Sequence, residues 1–242
     1  MTNSNDWFIV GTLVLVAIFV MSLQLELSVA TLMSGHSLGR QTSRRRLNQM
    51  LNQFTIGFML ITWLMFASVC LVVTNIDIIL QWLIDGMLWV FLIIALLIQA
   101  TVTVIAQARH PKLPHPWLPK DMRTFLTTRA TKTKSPAEAF SLGVTSLLAC
   151  FSVLTLPLIV AAIATMWYLP GFLLVVITIL FSLIVGAPLV IMQFFVLNDT
   201  PISAIQRFTI KHRRFFQIIQ VVSLLLIIGL ITSLLVEQGV TI

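Results

Sequence analysis

The chain alternates long apolar runs with three short basic stretches. All of its lysines and arginines fall within residues 40–46, 109–134 and 207–214. The runs between and around these stretches approach or exceed the ~20 apolar residues that cross a bilayer as a helix. The pattern therefore predicts an all-α integral membrane protein with six transmembrane helices.

The apolar runs also predict how the chain is divided. The predicted spans cover 7–34, 51–74, 82–106, 139–166, 171–197 and 216–236. Residues 1–108 then form a first three-span half and residues 138–242 a second, which includes an interfacial amphipathic helix near 201–214. Between them, residues 109–137 form a basic cytoplasmic loop, in which four closely spaced prolines favour an extended segment.

The basic stretches predict the orientation of the chain. Cytoplasmic loops retain Lys and Arg, so all three stretches are expected in the cytoplasm. Both termini are then extracytoplasmic, and the protein is expected to be a multi-pass protein of the plasma membrane. The aromatic residues near the outer ends of the spans are expected to form an interfacial belt: Trp7, Trp82, Trp89, Trp167 and Tyr168.

Composition excludes an ordinary soluble domain. Hydrophobic residues make up 58% of the chain and charged residues only 10%, against about 25% charged in a soluble domain. The formal charge of +7 fits retention of basic loops beside anionic lipid headgroups. No interleaving of aromatic and basic residues of the kind that stacks bases is present, so no nucleic-acid partner is expected.

A local repeat suggests that the two halves are related. Residues 22–32 and 146–156 both read SLxxxxSVxTL, at an offset of 124. Two halves with an odd number of spans would be inverted relative to each other, an architecture of many secondary transporters. The alternative is a chance match in a chain rich in these residue types.

Glu26 is the acidic residue placed inside a predicted span, and Gln24 and Ser28 accompany it. A charged side chain at the bilayer centre costs at least about 2.5–3.5 kcal/mol, so it normally serves a function. Two interpretations stay open. Glu26 is a proton- or cation-coupling site, or it lies at the cytoplasmic rim and pairs with the arginines at 44–46.

Helix breakers and amides supply the other pathway candidates. Pro157 is expected to interrupt span 4, and Gly186 and Pro188 to interrupt span 5. Broken helices coordinate substrate in transporters, although prolines also occur in inert spans. Gln99 and Gln193 are expected either to hold helices together or to line a path.

No enzyme signature has the context that catalysis needs. HExxH does not occur, and GHSLG at 35–39 matches GxSxG only as a fragment of a polar loop. None of the four histidines has a carboxylate or cysteine at ligand spacing. The sequence therefore predicts no catalytic residue, no metal site and no cofactor.

One segment resembles the six-span LysE and CcdA/DsbD-like membrane proteins. The resemblance rests on GVTS at 143–146, Cys150 and LPLI at 156–159, together with the duplicated six-span plan. It implies a transporter or exporter of a small solute. The thiol relay of CcdA/DsbD needs a second cysteine where this chain has Glu26, so cysteine chemistry is not expected.

A second resemblance concerns the cytoplasmic coupling loop of ABC-importer permeases. It rests on EAF at 138–140, Gly143 and TLP at 155–157, and it implies an ATPase partner. The spacing is one residue short, and 144–154 carries no charged residue. The alternative function is thus a non-catalytic membrane subunit or anchor that docks another membrane protein or an ATPase through its basic loops.

Overall fold

The computed structural model describes residues 8, 10–22, 44–75, 87–109, 120–133, 135–150, 156–165, 171–198, 207–208 and 211–237. This part of the chain is helical and contains no strand. Its helices are α1 (Val10–Ser22), α2 (Arg44–Asn75), α3 (Met87–Arg109), α4 (Lys120–Lys132), α5 (Pro136–Cys150), α6 (Leu156–Thr165), α7 (Gly171–Leu197) and α8 (Arg213–Glu237). The all-helical class predicted from the sequence is confirmed for these residues.

Four of the helices are long and apolar enough to cross a membrane. Their crossing segments are Asn48–Val72 in α2, Met87–Arg109 in α3, Phe172–Phe195 in α7 and Arg214–Ser233 in α8. Large apolar side chains on these helices face outward, among them Phe91, Phe172 and Phe194. Such surfaces are suited to lipid, because soluble proteins rarely expose large contiguous apolar patches.

The observed helix bounds correct several of the predicted ones. The fifth predicted span, 171–197, coincides with α7. Helix α2 begins at Arg44, well before the predicted start at 51, since arginine is a good helix former and hydropathy marks only the apolar part. Predicted span 4 corresponds to two helices, α5 and α6; residues 151–155 between them lie outside the described residues.

Helix α2 lies at the centre of the bundle. It packs against α5 and α7, and along a shorter length against α6. Its phenylalanines Phe54, Phe58 and Phe66 are fully buried. Phe66 stacks on Phe181 of α7 with ring centroids 4.6 Å apart. The core of the described bundle is therefore built around one helix.

Two glycines allow α2 and α5 to approach closely. A Cβ on Gly143 would overlap the carbonyl oxygen of Phe54, and one on Gly57 would lie 2.5 Å from the carbonyl oxygen of Phe140. Met50 packs on Ala139, while Gly143 lies against Phe58. Residue numbers rise together along the two helices, so α2 and α5 run in the same direction.

Helix α4 lies within the predicted cytoplasmic loop and packs on α5. Leu126 and Ala130 are buried, whereas the charged residues Asp121 in its first turn and Arg129 in its last are exposed. These charges suit the helix dipole. The amide of Glu138 donates to the Ser135 hydroxyl at 3.3 Å, which caps the start of α5.

Two sequence-based expectations are wrong. Helix α7 continues through Gly186 and Pro188, so these residues do not interrupt it; a proline in a helix removes one hydrogen bond without necessarily ending the helix. Trp89 is only 3% exposed and belongs to the core; it is not a member of an interfacial belt. The other belt residues lie outside the described residues, as does most of the amphipathic segment 201–214.

Candidate functional site

Hydroxyl groups in the bundle are mostly satisfied within their own helices. Thr55 donates to the Leu51 carbonyl, Thr62 to that of Phe58 and Thr103 to that of Gln99, each at 2.8 Å. Serine and threonine side chains are short enough to reach back to the preceding turn of the backbone. Glutamine side chains have no such local partner in a helix, so a buried glutamine depends on another helix or on water.

The interface between α2 and α7 supplies such partners, and we call it the α2–α7 seam. The Gln193 amide donates to the Thr55 hydroxyl at 3.0 Å. The Ser182 hydroxyl donates to the Met59 carbonyl at 2.6 Å. The third bond, from the Trp63 indole to the Thr178 hydroxyl, is 3.2 Å long. Numbers rise along α2 as they fall along α7, so the two helices are antiparallel.

The interface between α3 and α8 is different. Gln107 of α3 and Gln220 of α8 meet there. We call these two residues the glutamine cluster, together with Gln99, about two turns earlier on α3, and Gln217, about one turn earlier on α8. Gln107 donates to the Gln220 side-chain oxygen at 3.3 Å. Gln99, Thr103 and Gln107 recur at intervals of four and Gln217 and Gln220 at three, so each set occupies one helix face.

Most amide groups of the glutamine cluster are buried without a partner. Gln99 is 5% exposed, Gln217 7% and Gln220 1%. Neither the nitrogen nor the oxygen of the Gln99 side chain is bonded within the described residues, and the same holds for the side-chain nitrogens of Gln217 and Gln220. An unsatisfied buried polar group costs about 1–3 kcal/mol. These amide atoms thus have no protein partner within the described residues.

The charges near the glutamine cluster lie at one end of it. Arg109 ends α3 two residues after Gln107, and Arg214 lies three residues before Gln217. Both arginines are exposed. The cluster itself carries no formal charge, so it is a neutral polar patch beside a basic rim.

Within the described residues, the pathway candidates predicted from the sequence lie on different helices. Glu26, Gln24 and Ser28 lie outside the described residues. Gln99 belongs to the glutamine cluster and Gln193 to the α2–α7 seam, on a different helix pair.

The predicted helix breakers lie at a helix start or at a contact between helices. Pro157 lies in the first turn of α6, where its missing N–H costs nothing. A Cβ on Gly186 would overlap the terminal methyl group of Met59, so this glycine lets α7 approach α2. Pro188 is inside α7 and buried.

Sequence reasoning missed Gln107, Gln217 and Gln220. A signal was present, because Gln217 and Gln220 are amides spaced by three at the start of the last apolar run. That spacing puts both on one face of a helix. Their partner helix could not be deduced from the sequence.

Two other features of the described region concern metal binding and apolar ligands. No group of three His, Cys, Asp or Glu residues within it is arranged to hold a metal ion. An open groove of about 270 Å³ runs between α1 and α7 and is lined by apolar side chains such as Val14, Ile18 and Phe181. This groove suits a lipid acyl chain rather than a polar solute.

No protein-family model, no curated protein and no solved structure matches this chain. The glutamine cluster and the α2–α7 seam are therefore the features from which a function can be argued.

Proposed function

We propose that the protein is a six-span transporter or exporter of a small solute in the plasma membrane, and that the glutamine cluster lines its path. The observation that carries the proposal is Gln99. Its side-chain amide is buried in a membrane-crossing helix, and neither of its polar atoms is bonded within the described residues.

The contrast with Gln193 supports this assignment. Both glutamines lie in membrane-crossing helices, where a polar side chain serves either to hold helices together or to line a cavity. Gln193 has a partner on another helix, Thr55, and is structural. Gln99 has none in the described structure, which leaves its amide free to bind a solute.

The helix bounds support six spans in two related halves. The offset of 124 residues carries α2 (44–75) onto 168–199, close to α7 at 171–197. It carries α3 (87–109) onto 211–233, close to α8 at 213–237. It also equates Ser22 with Ser146, both of which bond the carbonyl three residues earlier, at 2.7 and 2.8 Å.

The directions of the helices fit the same plan. Spans 2 and 4 must run in the same direction across the membrane, and span 5 in the opposite one. Helices α2 and α5 are parallel and α2 and α7 antiparallel, as the plan requires. Antiparallel central helices also suit inverted repeats, which meet at a pseudo-two-fold axis in the membrane plane.

A flux assay with matched variants tests the proposal. The purified protein is reconstituted into liposomes, and the uptake of a panel of small neutral, anionic and cationic solutes is measured for the wild type, Gln99→Leu and Gln193→Leu. We expect protein-dependent flux of at least one solute. Gln99→Leu should abolish this flux, while Gln193→Leu should retain it. Absence of flux for the whole panel would contradict the transport function.

The coupling role of Glu26 is a separate part of the proposal, supported by its predicted position within span 1. If Glu26 couples transport to protons, Glu26→Gln should remove uphill transport and its dependence on a pH gradient, while downhill flux persists. Unchanged uphill transport would contradict the coupling role.

A second candidate function is that of a membrane subunit within a larger complex. The observation in its favour is the exposed face of α4, where Asp121, Thr124, Arg129 and Lys132 line a shallow depression and Arg129 lies 5.5 Å from the centroid of the Phe125 ring. Gentle purification followed by mass spectrometry separates the two functions. A stoichiometric companion released by reversing the α4 charges would favour the subunit.

A further inference from the structure

We infer that α4 lies on the membrane surface and that Arg129 and Lys132, at the end of its exposed face, bind the phosphate groups of anionic phospholipids. The inference goes beyond the proposed function, because it assigns a lipid-binding surface to the protein whether or not a solute is transported. It is argued from the position of α4 beside the membrane-crossing helix α2, from the groups on its exposed face and from their charge.

Contacts between α5 and α2 place the start of α5 at the edge of the apolar layer. The crossing segment of α2 begins at Asn48, and Met50, two residues later, packs on Ala139 of α5. The two helices run in the same direction, so Pro136, the first residue of α5, lies about 4.5 Å before Ala139 along the helix. Helix α4 ends at Lys132, four residues before α5 begins, and therefore ends at the membrane surface.

Helix α4 is held against the bundle at this level. Leu126 and Ala130 are buried and belong to the main hydrophobic core. The Arg129 guanidinium donates to the hydroxyl of Ser141, in the second turn of α5, at 3.3 Å. A cation is therefore fixed within a few ångströms of the edge of the apolar layer, where lipid headgroups meet the acyl chains.

The exposed face of α4 carries polar, aromatic and charged groups in one stripe. Its members recur at intervals of three or four residues and line an open depression of about 500 Å³: Asp121, Thr124, Phe125, Thr128, Arg129 and Lys132. The Phe125 side chain is 49% exposed, and the Arg129 guanidinium lies 5.5 Å from the centroid of its ring. This combination suits a membrane surface, because the ring enters the acyl boundary while the cations stay among the headgroups.

The charges at the end of this face favour phosphate. Arg129 and Lys132 lie in the last turn of α4 and are exposed, and the two arginines at 45–46 are exposed at the same membrane edge, in the first turn of α2. Arginine and lysine donate charge-assisted hydrogen bonds to phosphate oxygens. The acidic residues described near them are Glu138 in the first turn of α5 and Asp121, about 12 Å from Arg129 along α4. The cations therefore outnumber the carboxylates at this edge.

Native mass spectrometry of the full chain in detergent tests the inference. The protein is titrated with phosphatidylglycerol, with phosphatidylcholine and with glycerol 3-phosphate as a soluble phosphate. We expect phosphatidylglycerol to bind most tightly, with an affinity that falls as salt rises. Lys132→Gln should weaken its binding about fivefold and the double variant Arg129→Gln/Lys132→Gln about 25-fold, as for one and two basic residues lost near a membrane surface.

Lys120 provides the matched control, because it is exposed on the same helix and lies outside the set of residues that line the depression. Lys120→Gln should weaken binding less than Lys132→Gln does. Asp121→Asn should tighten binding, since it removes the negative charge from the depression. The melting temperature of each variant shows whether it is folded.

The outcomes separate a lipid from the other partners that this face could bind. Equal binding of the two lipids, equal effects of Lys120→Gln and Lys132→Gln, or binding of glycerol 3-phosphate as tight as that of phosphatidylglycerol would each overturn the inference. A protein companion that the double variant releases, with lipid affinity unchanged, would also overturn it and would assign the face to the subunit function. Weaker lipid binding in the double variant would uphold the inference, with or without solute flux.

Discussion

The α2–α7 seam and the glutamine cluster both place glutamine inside a bundle of apolar helices, but only the seam provides partners. In the seam, Gln193 bonds Thr55, and the Ser182 hydroxyl reaches the Met59 carbonyl. In the cluster, Gln107 and Gln220 bond each other, while Gln99 and Gln217 leave buried amide atoms unpaired. Residue type alone therefore does not reveal which glutamines have a protein partner.

The difference lies in what the neighbouring helix offers. Helix α2 comes close to its partners through glycine contacts at Gly57 and Gly186, and the short distance lets side chains reach across to hydroxyls and carbonyls. Between α3 and α8, the hydrogen bond seen in the described residues joins two glutamines, Gln107 and Gln220. An amide without a protein partner loses stability, and a bound solute or water can recover it.

The largest expected effect concerns the close packing around α2. Gly143→Leu should lower the free energy of unfolding in detergent by at least about 3 kcal/mol, because the side chain would force α5 away from the Phe54 backbone. The matched control is Gly229→Leu on α8, where a Cβ has open space. It should raise stability by about 0.5–1 kcal/mol through helix propensity. Equal effects at the two glycines would contradict the tight α2–α5 contact.

Gln99→Leu should stabilise the protein. It removes a buried, unpaired amide and keeps a similar volume, so thermal unfolding should show a gain of about 1–3 kcal/mol together with loss of flux. A gain in stability with a loss of activity is the pattern expected of a functional polar group. Destabilisation by this variant would make Gln99 structural and remove the contrast with the seam.

Gln193→Leu should destabilise the protein, in contrast to Gln99→Leu. It removes the bond to Thr55, and the free energy of unfolding should fall by about 1 kcal/mol. The loss should stay small because the Thr55 hydroxyl keeps its bond to the Leu51 carbonyl. A double-mutant cycle with Thr55→Val gives the coupling energy, and zero coupling would show that the bond contributes nothing.

The smallest effect is expected at Ser182. Its bond to the Met59 carbonyl joins two helices, so Ser182→Ala should cost about 0.6 kcal/mol, the average for hydrogen bonds between membrane helices. Ser68→Ala is the control, since the Ser68 hydroxyl bonds the Leu64 carbonyl of its own helix at the same 2.6 Å. A difference near zero between the two serines would mean that the seam is held by packing alone.

Hydropathy predicted the helical class and the course of α7 well. The apolar run that follows Pro170 begins and ends where the helix does, because proline favours a helix start and the polar residues after Leu197 end the run. Hydropathy placed the start of α2 at residue 51, whereas the helix begins at Arg44, because its first turn is made of arginines that hydropathy does not mark. The helix-breaking residues predicted an interruption at Gly186 and Pro188 that α7 does not have, since neighbouring helices can support a proline within an apolar helix.

The candidate site was harder to predict from the sequence than the fold. Gln99 and Gln193 looked equivalent in the sequence, as single amides within apolar runs. They differ in that Gln193 has a partner on another helix, Thr55, and Gln99 has none within the described residues, which is a property of packing across more than a hundred residues of chain. Trp89 shows the same limit, because its position near a span end did not reveal that it faces the core.

The central position of α2 has a consequence for biogenesis. The helices seen to pack on it in the described structure, α5, α6 and α7, are synthesised later. At about 5–20 residues per second, the chain from Gly57 to Gly143 takes on the order of 4–17 s to emerge from the ribosome. During that interval the glycine face of α2 has none of these partners, so the membrane insertion machinery is expected to shelter it, and crosslinking of nascent chains at position 57 should capture that machinery.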